Sequence, residues 1–168
     1  MDLVNKSKYN IILGSGSSRR KELLGMTGIN FSVMSIPVDE SFPDSLQGEE
    51  ISEYIVKNKS KAFNKLIKEN EIIITADTLV WSENKCLGKP KDKKEAKYML
   101  KLFAGKSHDV ITSVAFLTIS NFKILTESTT VIYKSLTDSE IDYYVENVNP
   151  IDKACLLYTS DAADDRNC

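Results

Sequence analysis

The chain has 168 residues, 42% of them hydrophobic, which is the size and apolar content of one compact domain. Its 22 lysines and arginines nearly balance 24 aspartates and glutamates, so the net charge of −2 gives no general attraction for nucleic acid or membranes. No window approaches the roughly 18 apolar residues of a membrane helix, and the first residues lack the apolar stretch of a signal peptide, so we expect a cytoplasmic protein. The three cysteines fit neither a disulfide framework nor a zinc site.

The first half of the chain alternates between strand and helix patterns. The apolar run 9–13 predicts a strand, and the Gly/Ser-rich residues after it predict a tight loop that leads into a helix. A second strand is predicted over 30–36 and a helix over 48–68. The continuous β-branched run 71–76 predicts a buried strand.

The second half adds two helices and a hairpin. One helical face stops at Gly105, a residue typical of helix ends, and is formed by Ala96, Met99, Leu100 and Phe103. The β-prone stretches 109–119 and 122–133 predict a hairpin. Thr137 stands three residues before Glu140, which is the spacing of a capping box at a helix start. The pattern as a whole predicts an α/β chain with a mixed sheet.

The loop between the first strand and the first helix is a candidate anion site. It reads Gly-Ser-Gly-Ser-Ser-Arg-Arg over 14–20, where backbone N–H groups and the helix dipole favour a phosphate. It lacks the Lys-Ser/Thr ending of a Walker loop, and Arg19 stands where a dinucleotide fingerprint has its third glycine. A small-residue turn with two solvated arginines is an equally good interpretation of this loop alone.

Charged residues elsewhere are individually weak signals. Asp77 and Thr78 follow the buried run, so we expect the carboxylate near the carboxyl end of a central strand, where open α/β sheets bind ligands. A cap or turn role is the plainer alternative for an isolated aspartate. His108 is the only histidine, so a histidine-based relay would need it, although a structural role is the more common one.

Six segments taken together resemble one known family. IILGSGSSRRKELL, VDES, SKAF, ITADTLV, LGKPKDKKEA and AGKSHDVITSVAF occur in the order typical of the Maf family, over roughly residues 9–154. The resemblance implies an α/β fold with a mixed twisted sheet flanked by helices, two lobes with a central cleft, and frequent homodimerisation. It also implies hydrolysis of nucleoside triphosphates to monophosphate and pyrophosphate with Mg²⁺ or Mn²⁺.

The resemblance also assigns roles to residues. Asp77 corresponds to the catalytic aspartate and would orient or deprotonate water, and it would share a metal with Glu40. The substrate-binding positions fall on Ser15, Ser17, Arg19, Arg20, Lys61, Thr78 and Lys89. Arginine at position 19 resembles the branch of the family associated with dTTP and UTP.

The chain also departs from the family pattern. Gly14 replaces an alanine, and Ser18 replaces the proline usual before the arginines. After Ala154 the expected glycine turn and glutamine-bearing strand are absent. We therefore expect residues 1–154 to form a nucleotide pyrophosphatase domain incomplete at its C-terminus, and residues 155–168 to be a non-native tail that resembles translated adapter sequence.

Two other functions fit parts of the sequence. A non-catalytic nucleotide-binding regulator is one, since the family has been linked to septum formation, but a pure binder would not need the two carboxylates at 40 and 77. A nucleic-acid-binding module is the other, although the basic residues are not interleaved with an aromatic platform. Neither a membrane nor a nucleic acid is therefore expected as a partner.

Overall fold

The computed structural model describes residues 8–148, apart from the side chain of Val148. Within them the elements in chain order are β1 (Asn10–Leu13), α1 (Ser18–Gly25), β2 (Phe31–Val33), α2 (Glu49–Lys61), β3 (Glu71–Ser82), β4 (Lys85–Leu87), α3 (Lys93–Phe103), β5 (Ser107–Leu117), β6 (Phe122–Ile132) and α4 (Asp138–Val148). No helix between residues 8 and 148 is long and apolar enough to cross a membrane.

The strands form one mixed sheet. Its order is β2-β1-β3-β5-β6, and β4 pairs with β3 outside this path. Strand β1 runs parallel to both β2 and β3, with Leu13 opposite Val33 on one side and Ile74 on the other. Strands β3 and β4 are antiparallel, with Val80 opposite Leu87. The predicted mixed α/β architecture is therefore confirmed, and the strand that carries Asp77 is central.

Strand β3 is longer than its sequence pattern predicted. We expected it to end at Ala76, but it continues to Ser82 because the β-prone residues after Asp77 pair with β4. Asp77 therefore lies inside the strand, although it is three residues beyond Ile74, the last residue paired with β1. The hairpin that joins β3 to β4 was not predicted. Its turn residues, Glu83 and Asn84, have positive φ angles of 49° and 60°.

Two further boundaries differ from the sequence prediction. Strand β2 covers only three residues of the stretch 30–36, and α2 ends at Lys61 rather than Lys68. The chain turns directly after α2, with Phe63 N–H donating to Ser60 O at 3.0 Å and Leu66 N–H to Phe63 O at 2.8 Å. These turns bury the Phe63 ring, which is 1% exposed, at the end of the helix.

The contacts divide the chain into two units. The first contains the described residues up to Asp77 together with Thr112–Glu127. Its core is built from Ile12, Phe63, Ile73 and Leu117, with Ile36, Ala62 and Ile67 packed against them. The second contains Thr78–Ile111 and the described residues from Ser128 onwards. Its core consists of Val80, Ala96, Met99, Leu100, Phe103, Tyr133, Ile141 and Val145.

The helix ends of the second unit follow the predicted local signals. Helix α3 stops before Gly105, whose φ of +70° is the left-handed conformation that glycine tolerates. At the start of α4, Thr137 N–H donates to Glu140 Oε2 at 2.8 Å and Glu140 N–H donates to Thr137 Oγ1 at 3.3 Å. This is the reciprocal pair of a capping box, as predicted.

Candidate functional site

The loop between β1 and α1 brings two serines and one arginine together. Ser15 is buried, and its Oγ accepts hydrogen bonds from Ser17 N–H at 3.2 Å and from Arg20 Nη1 at 3.4 Å. Ser17 is the N-cap of α1, and its side chain accepts from Arg20 N–H. The helix therefore starts within a folded-back Gly/Ser loop that carries a cation beside its positive dipole end.

This loop lies against β3. Gly14 N–H donates to Ile74 O at 2.7 Å, which continues the β1–β3 pairing by one residue. A Cβ at Gly14 would lie 2.9 Å from Thr75 Cγ2 and 3.0 Å from the Phe63 ring. Glycine fits here because the backbone approaches β3 closely and leaves no room for a Cβ beside Thr75 and Phe63. The close approach places the start of the loop beside the strand that carries Asp77.

Lys59 holds two carboxylates at one point in the first unit. Its Nζ lies 2.7 Å from Asp77 Oδ1 and 2.8 Å from Glu40 Oε1. Asp77 is 6% exposed and the Lys59 side chain 14%, whereas the Glu40 side chain is 60% exposed. The two carboxylates of the predicted metal site are thus brought together, and Lys59, which was not among the predicted site residues, lies between them.

The loop that carries Glu40 is ordered by its neighbour. Asp39 accepts a hydrogen bond from Ser41 N–H at 2.9 Å and another from Ser41 Oγ at 2.8 Å. These bonds, the backbone one first, lower the pKa of Asp39 below its usual range. This local turn holds the chain on either side of Glu40.

The position of Lys59 on the buried face of α2 explains why Lys59, and not Lys61, reaches Asp77. Ser52, Ile55 and Val56 are buried, and Lys59 follows them by seven, four and three residues. At 3.6 residues per turn these four positions share one helix face. Lys61 lies off that face, is exposed, and donates to Asn58 Oδ1 at 3.1 Å.

Arg19, Thr78 and Lys89 are the remaining predicted substrate-binding residues. Arg19 forms an exposed ion pair with Glu22 at 3.0 Å, one turn along α1. Thr78 follows Asp77 in β3 and is half-buried, whereas Lys89 is exposed in the loop between β4 and α3. Thr78 and Lys89 both belong to the second unit.

His108 is a buried residue of the second unit. It is 3% exposed, and its ring centroid lies 4.3 Å from that of Phe103 and 5.4 Å from that of Tyr133. Neither ring nitrogen has a hydrogen-bond partner within the described part of the chain. Burial lowers the pKa of His108, and the charge of Asp109 opposes this shift. The surroundings are those of a neutral core residue.

The donor chemistry of the site suits a hard divalent cation. The described residues contain no group of three or more His, Cys, Asp or Glu side chains that could hold a metal by themselves. Mg²⁺, however, commonly binds through one or two carboxylates and completes its shell with water and substrate phosphate. Glu40 and Asp77, which share the ammonium of Lys59, are such a pair.

Comparison with known proteins identifies several relatives. The family profile described as Maf-like protein matches residues 10–161. The dTTP/UTP pyrophosphatase of Bacteroides fragilis is 46% identical over 153 residues, which are 90% of this chain and 79% of that protein. The dTTP/UTP pyrophosphatase of Flavobacterium johnsoniae is 44% identical over 88% of this chain and 76% of its own length.

A solved structure shares the fold. The Ham1 protein of Staphylococcus aureus superposes with a TM-score of 0.54 at 12% identity, over 77% of this chain and 72% of that one. At this identity the similarity concerns the arrangement of strands and helices alone.

Proposed function

The chain belongs to the Maf family, and we propose that it hydrolyses nucleoside triphosphates to the monophosphate and pyrophosphate. The preferred substrates in this proposal are dTTP and UTP. The observation that carries the proposal is the contact of Lys59 with both Asp77 and Glu40, beside a Gly/Ser loop that opens a helix. A cation, two carboxylates and an anion-binding loop in one unit are the groups that phosphoanhydride hydrolysis needs.

In this proposal the loop between β1 and α1 binds phosphate oxygens. Helix N-termini favour anions because their first N–H groups lack intrahelical partners. Arg20 already points its guanidinium at Ser15, so it can donate to a phosphate that enters the loop. The family resemblance supports four further substrate-binding positions in this proposal, which are Arg19, Lys61, Thr78 and Lys89.

Asp77 is the proposed general base. Its carboxylate would take a proton from water as that water attacks the phosphorus and the bond to the departing pyrophosphate breaks. Lys59 Nζ, 2.7 Å from Oδ1, holds the carboxylate in place. Its positive charge also offsets charge that develops on the phosphate oxygens.

Glu40 and Asp77 are the residues that would hold Mg²⁺ or Mn²⁺. When bound, such a cation would offset the negative charge of the phosphate oxygens. It would also stabilise the negative charge that develops on the departing pyrophosphate. Homodimerisation, a cleft between two lobes and a link to septum formation stay predictions of the resemblance, and a cytoplasmic location stays a prediction of the hydropathy pattern.

The experiment is a pyrophosphate-release panel over the common nucleoside triphosphates, with Mg²⁺ or Mn²⁺ added. We expect release from dTTP and UTP, and a loss of at least ~100-fold in turnover for Asp77→Asn, which keeps the shape but cannot accept the proton. Asp44→Asn is the control, because Asp44 is an exposed carboxylate of the loop before α2. Nucleotide binding without any pyrophosphate release would reject the hydrolase and favour the regulator.

A further inference from the structure

A pair of buried hydroxyl groups lies between α2 and β3. Ser60 Oγ and Thr75 Oγ1 are 2.6 Å apart, and the two residues are 2% and 0% exposed. Val56 O lies 3.0 Å from Ser60 Oγ and 3.3 Å from Thr75 Oγ1. The two hydroxyl groups have only two protons to donate, whereas there are three contacts. The two shorter distances favour donation from Thr75 to Ser60 and from Ser60 to Val56 O.

Each member of the pair adjoins a charged residue of the proposed site. Ser60 follows Lys59 in α2, and Thr75 precedes Asp77 by two residues in β3, on the same face of the strand. The ion pair joins a long flexible lysine to a short aspartate and therefore tolerates small shifts of the helix. The 2.6 Å hydroxyl contact tolerates far less, because a hydrogen bond needs both a short distance and a favourable angle.

The methyl group of Thr75 contacts the third part of the site. A Cβ at Gly14 would lie 2.9 Å from Thr75 Cγ2, so this methyl group fills the space beneath the start of the loop. One threonine thus contacts the helix through oxygen and the loop through carbon.

We propose that Ser60 and Thr75 are positioning residues: the hydroxyl pair sets the contact between Lys59 and Asp77, and the Thr75 methyl group supports the loop at Gly14. The catalytic part of this inference rests on the proposed hydrolysis, whereas the geometric part does not. The hydroxyl group and the methyl group of Thr75 can be removed separately by substitution, so their effects can be measured one at a time.

Thr75→Val removes the hydroxyl and keeps the shape, and Ser60 retains its bond to Val56 O. We expect kcat for dTTP to fall at least tenfold with KM changed less than threefold. Thr75→Ser keeps the hydroxyl and removes the methyl group, so we expect KM to rise at least threefold with kcat nearly unchanged. If both variants change kcat and KM in the same ratio, Thr75 acts as ordinary packing and the proposal is wrong.

The control is a second buried hydroxyl pair in the same unit. Ser52 and Ser113 are 2.6 Å apart and join α2 to β5, and neither residue adjoins Lys59 or Asp77 in sequence. Ser113→Ala should lower thermal stability but leave kcat within about twofold, since its hydroxyl lies outside the proposed contacts. A tenfold loss of kcat in Ser113→Ala would show that any loosening of α2 suffices, and would overturn the proposal.

A measurement without substrate separates this proposal from the hydrolase assignment. The coupling free energy between Lys59 and Asp77 is obtained from the unfolding free energies of the parent protein, Lys59→Met, Asp77→Asn and the double variant. We expect this coupling to fall at least twofold in the Thr75→Val background and to persist in the Ser113→Ala background. Persistence in both would reject the positioning role, whereas an inactive wild type with the expected coupling loss would reject only the hydrolase.

Discussion

Lys59 donates from Nζ to Asp77 Oδ1 across 2.7 Å, although 18 residues of sequence separate them. The contact joins α2 to the central strand β3. Lys59 is nearly buried beside two carboxylates, whereas Lys61 is exposed and its amine donates to Asn58 Oδ1.

Lys59→Met should therefore lower pyrophosphate release by about 100-fold, because it removes a cation that orients the base and offsets phosphate charge. It should also destabilise the fold by roughly 3 kcal/mol, since Asp77 keeps its charge without its partner. Lys57→Met, at an exposed position of the same helix that lies outside the proposed site, should stay within about twofold of wild type in rate. Steady-state rates and urea unfolding of both variants check this, and equal losses in the two would contradict the assignment.

Gly14→Ala should destabilise the protein by about 1–3 kcal/mol, the range for overpacking, because its Cβ would lie 2.9 Å from Thr75 Cγ2. Gly25→Ala is the matched control at the last residue of α1, where a Cβ meets nothing within 4 Å. That change should stabilise the protein by up to about 1 kcal/mol. Differential scanning calorimetry of the two variants suffices, and a stable Gly14→Ala protein would show that Thr75 and Phe63 yield without cost.

His108 predicts a pH dependence of stability. Its pKa is lowered in the folded protein, so the unfolded chain binds a proton first as the pH falls below the ordinary value of 6.5. Stability from this residue is complete above 6.5 and is lost as the pH falls towards the folded pKa, by at most about 1.4 kcal/mol per pH unit. His108→Phe should remove this component. The measurement is urea unfolding of both proteins at a series of pH values. If the unfolding free energies of the two proteins change with pH in the same way, His108 does not cause the pH dependence.

Glu140 predicts a separate effect at lower pH. The backbone N–H of Thr137, then its hydroxyl, and then Lys134 lower the pKa of Glu140 from 4.5 to about 2. The stabilisation from its charge is complete above 4.5 and is lost as the pH falls to about 2. Glu140→Gln should lower Tm near neutral pH, and the difference from wild type should vanish in acid. A Tm difference that persists at the lowest pH would show that the charge is not the cause.

Local signals in the sequence predicted much of the fold. The hairpin of β5 and β6, the end of α3 before Gly105 and the start of α4 at Thr137 each depend on residues a few positions apart. Such features need no knowledge of distant contacts, so they could be derived from propensity and spacing. The β3–β4 turn was not predicted because its two turn positions are occupied by Glu83 and Asn84. Glycine at one of these positions is the usual sequence signal of a two-residue turn.

The site could be predicted only in part. The positions of Ser15, Ser17 and Arg20 follow from a strand-loop-helix pattern, and the structure brings them together. Lys59 was missed although the buried positions Ile55 and Val56 define its helix face, and this periodicity was the signal that could have identified it. The place of Asp77 within β3 depended on β4, a pairing that no local pattern indicated.

The close approach at Gly14 also has a consequence for how this sequence can diverge. Residues from three elements share one small volume: Gly14 after β1, Phe63 after α2 and Thr75 within β3. A larger side chain at one of them requires a smaller one at another, because packed interiors hold no spare space for a methyl group. Substitutions at these positions should therefore be epistatic, harmful alone and tolerated in combination. Among homologues, the residue at position 14 should covary with those at 63 and 75.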